Sequence, residues 1–156
     1  EYSMNSDSVG VLEYKGEAID SIGLSFEPLS IGQEAIIYKV HSGPDAQKFI
    51  LHTGRRRAVL DEEIPHFYSY FSEPLVARDK MYYWGIDRAH NKIYAMKYDP
   101  ATQEVDSVYV RYDQVQTDVP PYYHPVMKQG EVLFAYYDSV LVVGEEFEVL
   151  RRYSIH

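Results

Sequence analysis

Histidine and the carboxylates are the residues of this chain best equipped for acid–base or metal chemistry, and their spacing works against it. The six His residues stand at positions 41, 52, 66, 90, 124 and 156. None belongs to an HxH or HExxH pair that would set two imidazoles on one strand or helix face, so the sequence predicts no metal site. Cysteine is absent, which removes thiolate ligands, thiol nucleophiles and disulfides together. Glu62, Glu63 and His66 flank Pro65, with Glu73 beyond. A carboxylate beside an imidazole is the minimum for a hydrolase acid–base pair, and the same residues also make a solvated acidic turn. No phosphate-cradling glycine loop, Gly-x-Ser-x-Gly elbow or calcium loop occurs, and no cofactor is implied.

Two other groups suit recognition better than reaction. Arg55-Arg56-Arg57 is the one basic run, and a guanidinium fork at Arg56 matches a carboxylate or phosphate; lying on a strand end, its stems also cover apolar surface. Pro120-Pro121-Tyr122-Tyr123-His124-Pro125 holds two rings on stiff backbone. Such a segment loses little entropy on binding, and Tyr122 and Tyr123 can stack on a sugar, a proline or a partner protein, or pin the loop to a sheet.

The elements that must carry these groups read as strands. Short β-branched and aromatic runs recur near Val9–Tyr14, Ile22–Phe26, Ala35–His41, Lys48–Thr53, Met81–Asp87, Lys92–Tyr98, Val105–Tyr112, Val132–Tyr136, Val140–Val143 and Phe147–Tyr153. About ten short strands with Gly and Pro punctuation give an all-β antiparallel meander, sandwich or partly open barrel, with propeller-like blades as the alternative. Residues 1–8 read as a flexible arm and 9–156 as one domain. Helix is expected only around Ala58–Glu63, ended by Pro65, and residues 114–130 form the longest loop. Hairpins starting near Ala35, Met81 and Val132 are offset by 46 and 51 residues, a spacing taken as all-β periodicity because the segments share few identities.

Turn chemistry sets registers. A loop at Arg88–Asn91 pairs Asp87 with Lys92 and lays Tyr94 over Gly85; a loop at Pro100–Gln103 pairs Tyr94 with Tyr109 and Lys97 with Asp106. One face then carries Trp84, Ile86, Ile93, Ala95, Val108 and Val110, a plain core. The other carries Met81, Tyr83, Tyr94, Met96, Tyr98, Val105 and Tyr109, and Tyr83, Tyr94, Tyr98 and Tyr109 become the leading partner-binding candidates. A two-residue loop at Asp138-Ser139 makes a last hairpin that is apolar on both faces and therefore covered on both.

With 15 Lys plus Arg against 24 Asp plus Glu, the chain carries a formal charge of −9, which repels nucleic acid and anionic lipid alike. No apolar run reaches the ~20 residues of a membrane helix. Sixteen Tyr residues favour sheets and interfaces.

The polar start EYSMNSDS, the Cys-free body, the abundance of Tyr and segments such as YYWGIDRAHNKIYAMKYDPATQEV together resemble the mature parts of small envelope lipoproteins of Bacteroidota. That resemblance implies an extracytoplasmic location, in the periplasm or at the cell surface, with a lipid anchor on a cysteine that this chain lacks. The expectation is thus a non-catalytic binding or assembly module outside the cytoplasm that uses its Tyr-rich sheet face as a protein interface, in an envelope complex. The alternatives are a glycan- or peptide-binding accessory protein and a hydrolase built on the 62–73 loop.

Overall fold

The computed structural model describes residues 2–4, 11–14, 17–21, 26–41, 43–54, 56–68, 73–112, 122–137 and 139–154. Among them, strands β1 (Tyr2–Met4), β2 (Val11–Tyr14) and β3 (Glu17–Ser21) form a three-stranded meander. Three four-stranded meanders follow. Sheet I holds β4 (Phe26–Ile31), β5 (Ala35–Val40), β6 (Phe49–Thr53) and β7 (Arg56–Val59). Sheet II holds β8 (Leu75–Ala77), β9 (Lys80–Asp87), β10 (Lys92–Tyr98) and β11 (Val105–Tyr112). Sheet III holds β12 (Val126–Lys128), β13 (Glu131–Tyr136), β14 (Ser139–Val143) and β15 (Val149–Ser154). Among the described residues there is one short helix, α1 (Leu60–Glu63), which leads out of β7. Tyr2–Met4, read from sequence as part of an arm, pairs with β2.

The protein is therefore an all-β antiparallel meander, and each four-stranded unit has the strand order of a propeller blade. The 46- and 51-residue offsets mark successive second strands, β5, β9 and β13. They are a repeat of topology with little repeat of sequence, which corrects the reading of that spacing as incidental.

Sheet II lies between the other two. On one side Met81, Tyr83, Met96 and Tyr98 meet Ala35, Ile37, Phe49, Leu51 and Ala58 of sheet I, closed at one end by Leu60, Ile64 and Phe67. On the other side Tyr82, Trp84, Ile93 and Ala95 meet Val132, Phe134, Leu141 and Val143 of sheet III, with Tyr122 and Phe147. A third apolar cluster, Ile36, Tyr38, Val40, Ile50 and Val59, buries the far face of sheet I. Neighbouring sheets are also tied by polar contacts. Ser30 Oγ accepts the Val76 N–H at 2.7 Å, Asp79 Oδ1 accepts the Glu34 N–H at 2.8 Å, and the Arg78 guanidinium donates to the Gly130 carbonyl.

The expected registers of the middle hairpins hold: Lys92 faces Asp87, Tyr94 faces Gly85 and Tyr109, and Lys97 faces Asp106. Gly85 is needed, since a Cβ there would meet the Met96 side chain at 2.6 Å. Elsewhere the strands depart from expectation. Sheet I begins with Phe26–Ile31, and residues 22–25 of the expected Ile22–Phe26 strand lie outside the described residues; Pro28 sits in β4 beside a register shift, on an edge where no ladder N–H is required. The Arg-rich turn continues into β7, and the Pro-rich loop ends in β12. The last hairpin turns between Tyr136 and Ser139, pairing Phe134 with Leu141, with Tyr137 in the left-handed conformation at φ 47°. This moves the register by two residues and leaves every side chain on its expected face. Phe147, expected to open the last strand, instead occupies a tight turn at φ 62° and drops its ring into the core.

An antiparallel meander alternates its turns between two ends. The β5–β6 and β9–β10 turns share one end with α1 and His66, and the β4–β5, β8–β9, β10–β11 and β12–β13 turns gather at the other.

Candidate functional site

The Tyr face of sheet II divides in two. Tyr83 and Tyr98 are buried against sheet I, which corrects their assignment to a partner surface: sheet I covers the face they occupy. The Tyr83 hydroxyl donates to the Pro65 carbonyl at 2.8 Å, and burial pushes its ionisation far above the usual phenol range. Tyr94 is half-buried and Tyr109 is 50% exposed. Their rings meet edge to face at 5.9 Å, and His66 stacks on Tyr94 at 6.0 Å. His66 reaches this position because its carbonyl accepts the Ile86 N–H at 3.0 Å, above the side-chain-free Gly85. What remains of the predicted face is a three-ring shelf at the loop-bearing end, with Asp87 and Lys92 on the same face. The His90 ring bonds Asp87 at 2.8 Å and holds its carboxyl below the ordinary range.

Tyr122 and Tyr123 also part company. Tyr122 is buried, edge-on to Trp84 at 4.9 Å and stacked on Tyr136 at 6.1 Å. The indole N–H of Trp84 donates to the Tyr123 carbonyl at 2.8 Å, so the loop is pinned to the sheet from both sides. This corrects Tyr122 as a surface contact. Tyr123, next along an extended backbone, is 62% exposed. Arg56 is partly exposed, 4.0 Å from Glu63, in a shallow crevice with Leu51, Tyr98 and Pro100 at the opposite end of the stack from the Tyr94 shelf. The predicted residues therefore fall into three separate places: the Tyr94–Tyr109 shelf, Tyr123, and Arg56.

The residues proposed for acid–base chemistry do not converge. Glu62 binds Lys48 at 2.7 Å, and Glu63 accepts the Val59 N–H at 2.7 Å, serving the start of α1 as a capping carboxylate. His66 is engaged with Tyr94. Among the described residues no group of three or more His, Asp or Glu is placed to hold a metal ion. No helix there is long and apolar enough to cross a membrane.

Sheet III carries a surface that sequence reading passed over. By strand parity Val126, Leu133, Ala135, Val140, Val142, Arg151 and Tyr153 share its outer face. Tyr123 extends that face, its N–H bonded to the Ala135 carbonyl at 3.0 Å. Val126 is 45% and Tyr153 50% exposed, and all six residues of β15 are exposed. At its rim Arg111 lies over the exposed Tyr137 ring at 4.3 Å. The both-faced apolar pattern of β13 and β14 was read as burial on both sides; β14 bears this out at Leu141, Val142 and Val143, whereas Leu133, Ala135 and Val140 are half-buried.

No family model matches this chain, and no curated protein is significantly similar to it.

Proposed function

We propose that the protein is a non-catalytic binding or assembly module that works outside the cytoplasm through a protein interface. The observation that carries this reading is the concentration of exposed aromatic and aliphatic side chains, Tyr123, Val126 and Tyr153 with Val149 and Leu150, on one sheet of the stack. Exposed apolar side chains gathered on one sheet favour an association site, and aromatic residues dominate the energetics of such interfaces. The dispersed carboxylates and histidines favour binding over hydrolysis.

A second reading belongs to the Tyr94–Tyr109–His66 shelf. Rings beside the polar Asp87, His90 and Lys92 suit a glycan, whose apolar faces stack while its hydroxyls bond to charged groups.

The test is photo-crosslinking in cells with benzoyl-phenylalanine at position 123 or 109, combined with fractionation. A discrete protein adduct from position 123 in an extracytoplasmic fraction is the expected result. Adducts from neither position, or a wholly cytoplasmic protein, would overturn the reading. Protection of position 109 by soluble oligosaccharide would shift the assignment to the glycan.

A further inference from the structure

The β8–β9 hairpin turns on Arg78 and Asp79, both in the left-handed conformation at φ 52° and 57°. Ala77 pairs with Lys80, so these two residues are the whole loop. A two-residue loop with both residues left-handed favours Asn-Gly, because that backbone is unfavourable for a bulky side chain. The equivalent turn of sheet III, Gln129-Gly130, has the glycine. Non-glycine residues held in such backbone point to a role for their side chains.

We propose that Arg78 and Asp79 form a clasp that couples the three sheets: Asp79 locks sheet II to sheet I, Arg78 locks it to sheet III, and the two locks act separately.

Each lock has a space made for it. On one side Asp79 Oδ1 accepts the Glu34 N–H at 2.8 Å. Gly32 leaves room for this, since a Cβ there would stand 2.7 Å from the same Oδ1 and 2.7 Å from the Val76 side chain. Beside it Ser30 Oγ accepts the Val76 N–H, so β8 and its turn are bonded to the β4–β5 hairpin at successive points. On the other side the Arg78 guanidinium donates to the Gly130 carbonyl. A Cβ on Gly130 would come within 3.3 Å of that guanidinium. Burial pushes the ionisation of Tyr82 up and the Arg78 cation partly offsets it, which sets Arg78 against a ring of the cluster between sheets II and III. Lys80, the next residue, turns back within sheet II to Asp99 at 3.0 Å. Three successive side chains thus serve three destinations.

The two outward contacts join turns 45 and 52 residues apart in sequence. They add nothing to the pairing of β8 with β9; they restrain how one sheet sits on the next. Both are hydrogen bonds from or to a charged group, which are stronger than neutral ones. Sheet III bears the exposed Tyr123, Val126 and Tyr153, so the Arg78 lock also fixes where that surface stands relative to sheet II. If the pair served only to make the turn, a better turn sequence would stabilise every sheet. A clasp predicts the opposite.

The test is native-state hydrogen exchange by NMR on the intact chain, which reads each sheet separately. Asp79→Gly suits the left-handed backbone and removes the carboxylate. The Ile37 and Leu51 amides of sheet I should then exchange about three- to tenfold faster, as loss of one charge-assisted hydrogen bond implies, with Phe134 and Leu141 of sheet III unchanged. Arg78→Asn also suits the turn and removes the guanidinium, and the pattern should reverse. Asp79→Asn keeps an acceptor oxygen and should exchange as the parent does. Gly32→Ala attacks the sheet I lock without touching the turn and serves if Asp79→Gly disturbs the fold; Arg78→Gln does the same for sheet III. Slower or unchanged exchange in both sheets would overturn the proposal by making Arg78 and Asp79 turn residues only. An equal rise in all three sheets from either variant would overturn it by showing one indivisible unit without separate locks.

Discussion

Sheets II and III share a topology and differ in what lies against their second face. Sheet II is packed on both sides, so Tyr82, Tyr83, Trp84 and Met81 of one strand are all buried. In sheet III Val132 and Phe134 are buried on the inner face, while on the outer face Val142 is buried, Leu133 and Ala135 are half-buried and Val126 and Tyr153 are exposed. Both strands are nearly continuous apolar runs, and such runs are the mark of strands covered on two faces. The lesson is that a run of this kind reports a strand designed for two neighbours. Where part of such a face stays exposed, as at Tyr123, Val126 and Tyr153, that part is the place to look for a partner.

The sharpest way to break the comparison is to remove a ring from the doubly covered sheet. Trp84 fills the space between sheets II and III and donates to the Tyr123 carbonyl. Trp84→Ala should cost ~3–5 kcal/mol through cavity formation and lost packing. Chemical denaturation measures this; a loss below about 1 kcal/mol would mean that sheet III does not rest on sheet II as described.

Tyr83→Ser should come next, at several kcal/mol, because it leaves a ring-sized void against sheet I and strands the Pro65 carbonyl. Tyr83 also gives the comparison a pH dependence. Its folded-state ionisation lies above that of an unfolded phenol, because burial disfavours the phenolate. A group raised in this way contributes stability that is fully present below the unfolded value, near ~10, and lost as pH rises toward the folded one. Alkaline unfolding should therefore begin above about pH 10, and Tyr83→Phe should delay it. Equal alkaline sensitivity in the two proteins would show that another group controls the transition.

These contrasts mark what the sequence could reveal. The β9–β10 and β10–β11 registers were legible because Asp87, Asn91 and Asp99-Pro100 are turn residues with defined geometry. The β13–β14 turn was not, since nothing in a tyrosine announces a left-handed backbone. Strands β8 and β12, three residues each, are too short for a period to register. The candidate site was legible in composition and illegible in exposure. Alternation sorts Tyr83, Tyr94, Tyr98 and Tyr109 onto one face, but which of them is covered depends on how far sheet I and the segment around His66 extend over that face. That is a tertiary fact with no local signature.

The smallest expected effect is the most telling for function. Tyr109 and Tyr153 are equally exposed, on different sheets, and replacing either by Ser should change stability by no more than about 0.5 kcal/mol, as surface substitutions usually do. Tyr109→Ser removes one edge-to-face contact with Tyr94, so its cost should sit at the upper end of that range. Tyr153→Ser removes a ring beside Val140 and should be close to neutral for folding. The two then differ in association: the loss of Tyr153 should weaken the cellular protein adduct formed from position 123, and the loss of Tyr109 should leave it unchanged. Thermal melts and photo-crosslinking from position 123 in both variants decide the matter. If Tyr153→Ser lowers the midpoint as much as a core substitution, β15 holds the sheet together instead of presenting it. If both variants form that adduct as the parent does, Tyr153 is not part of the interface and the protein-interface reading of sheet III loses its exposed ring.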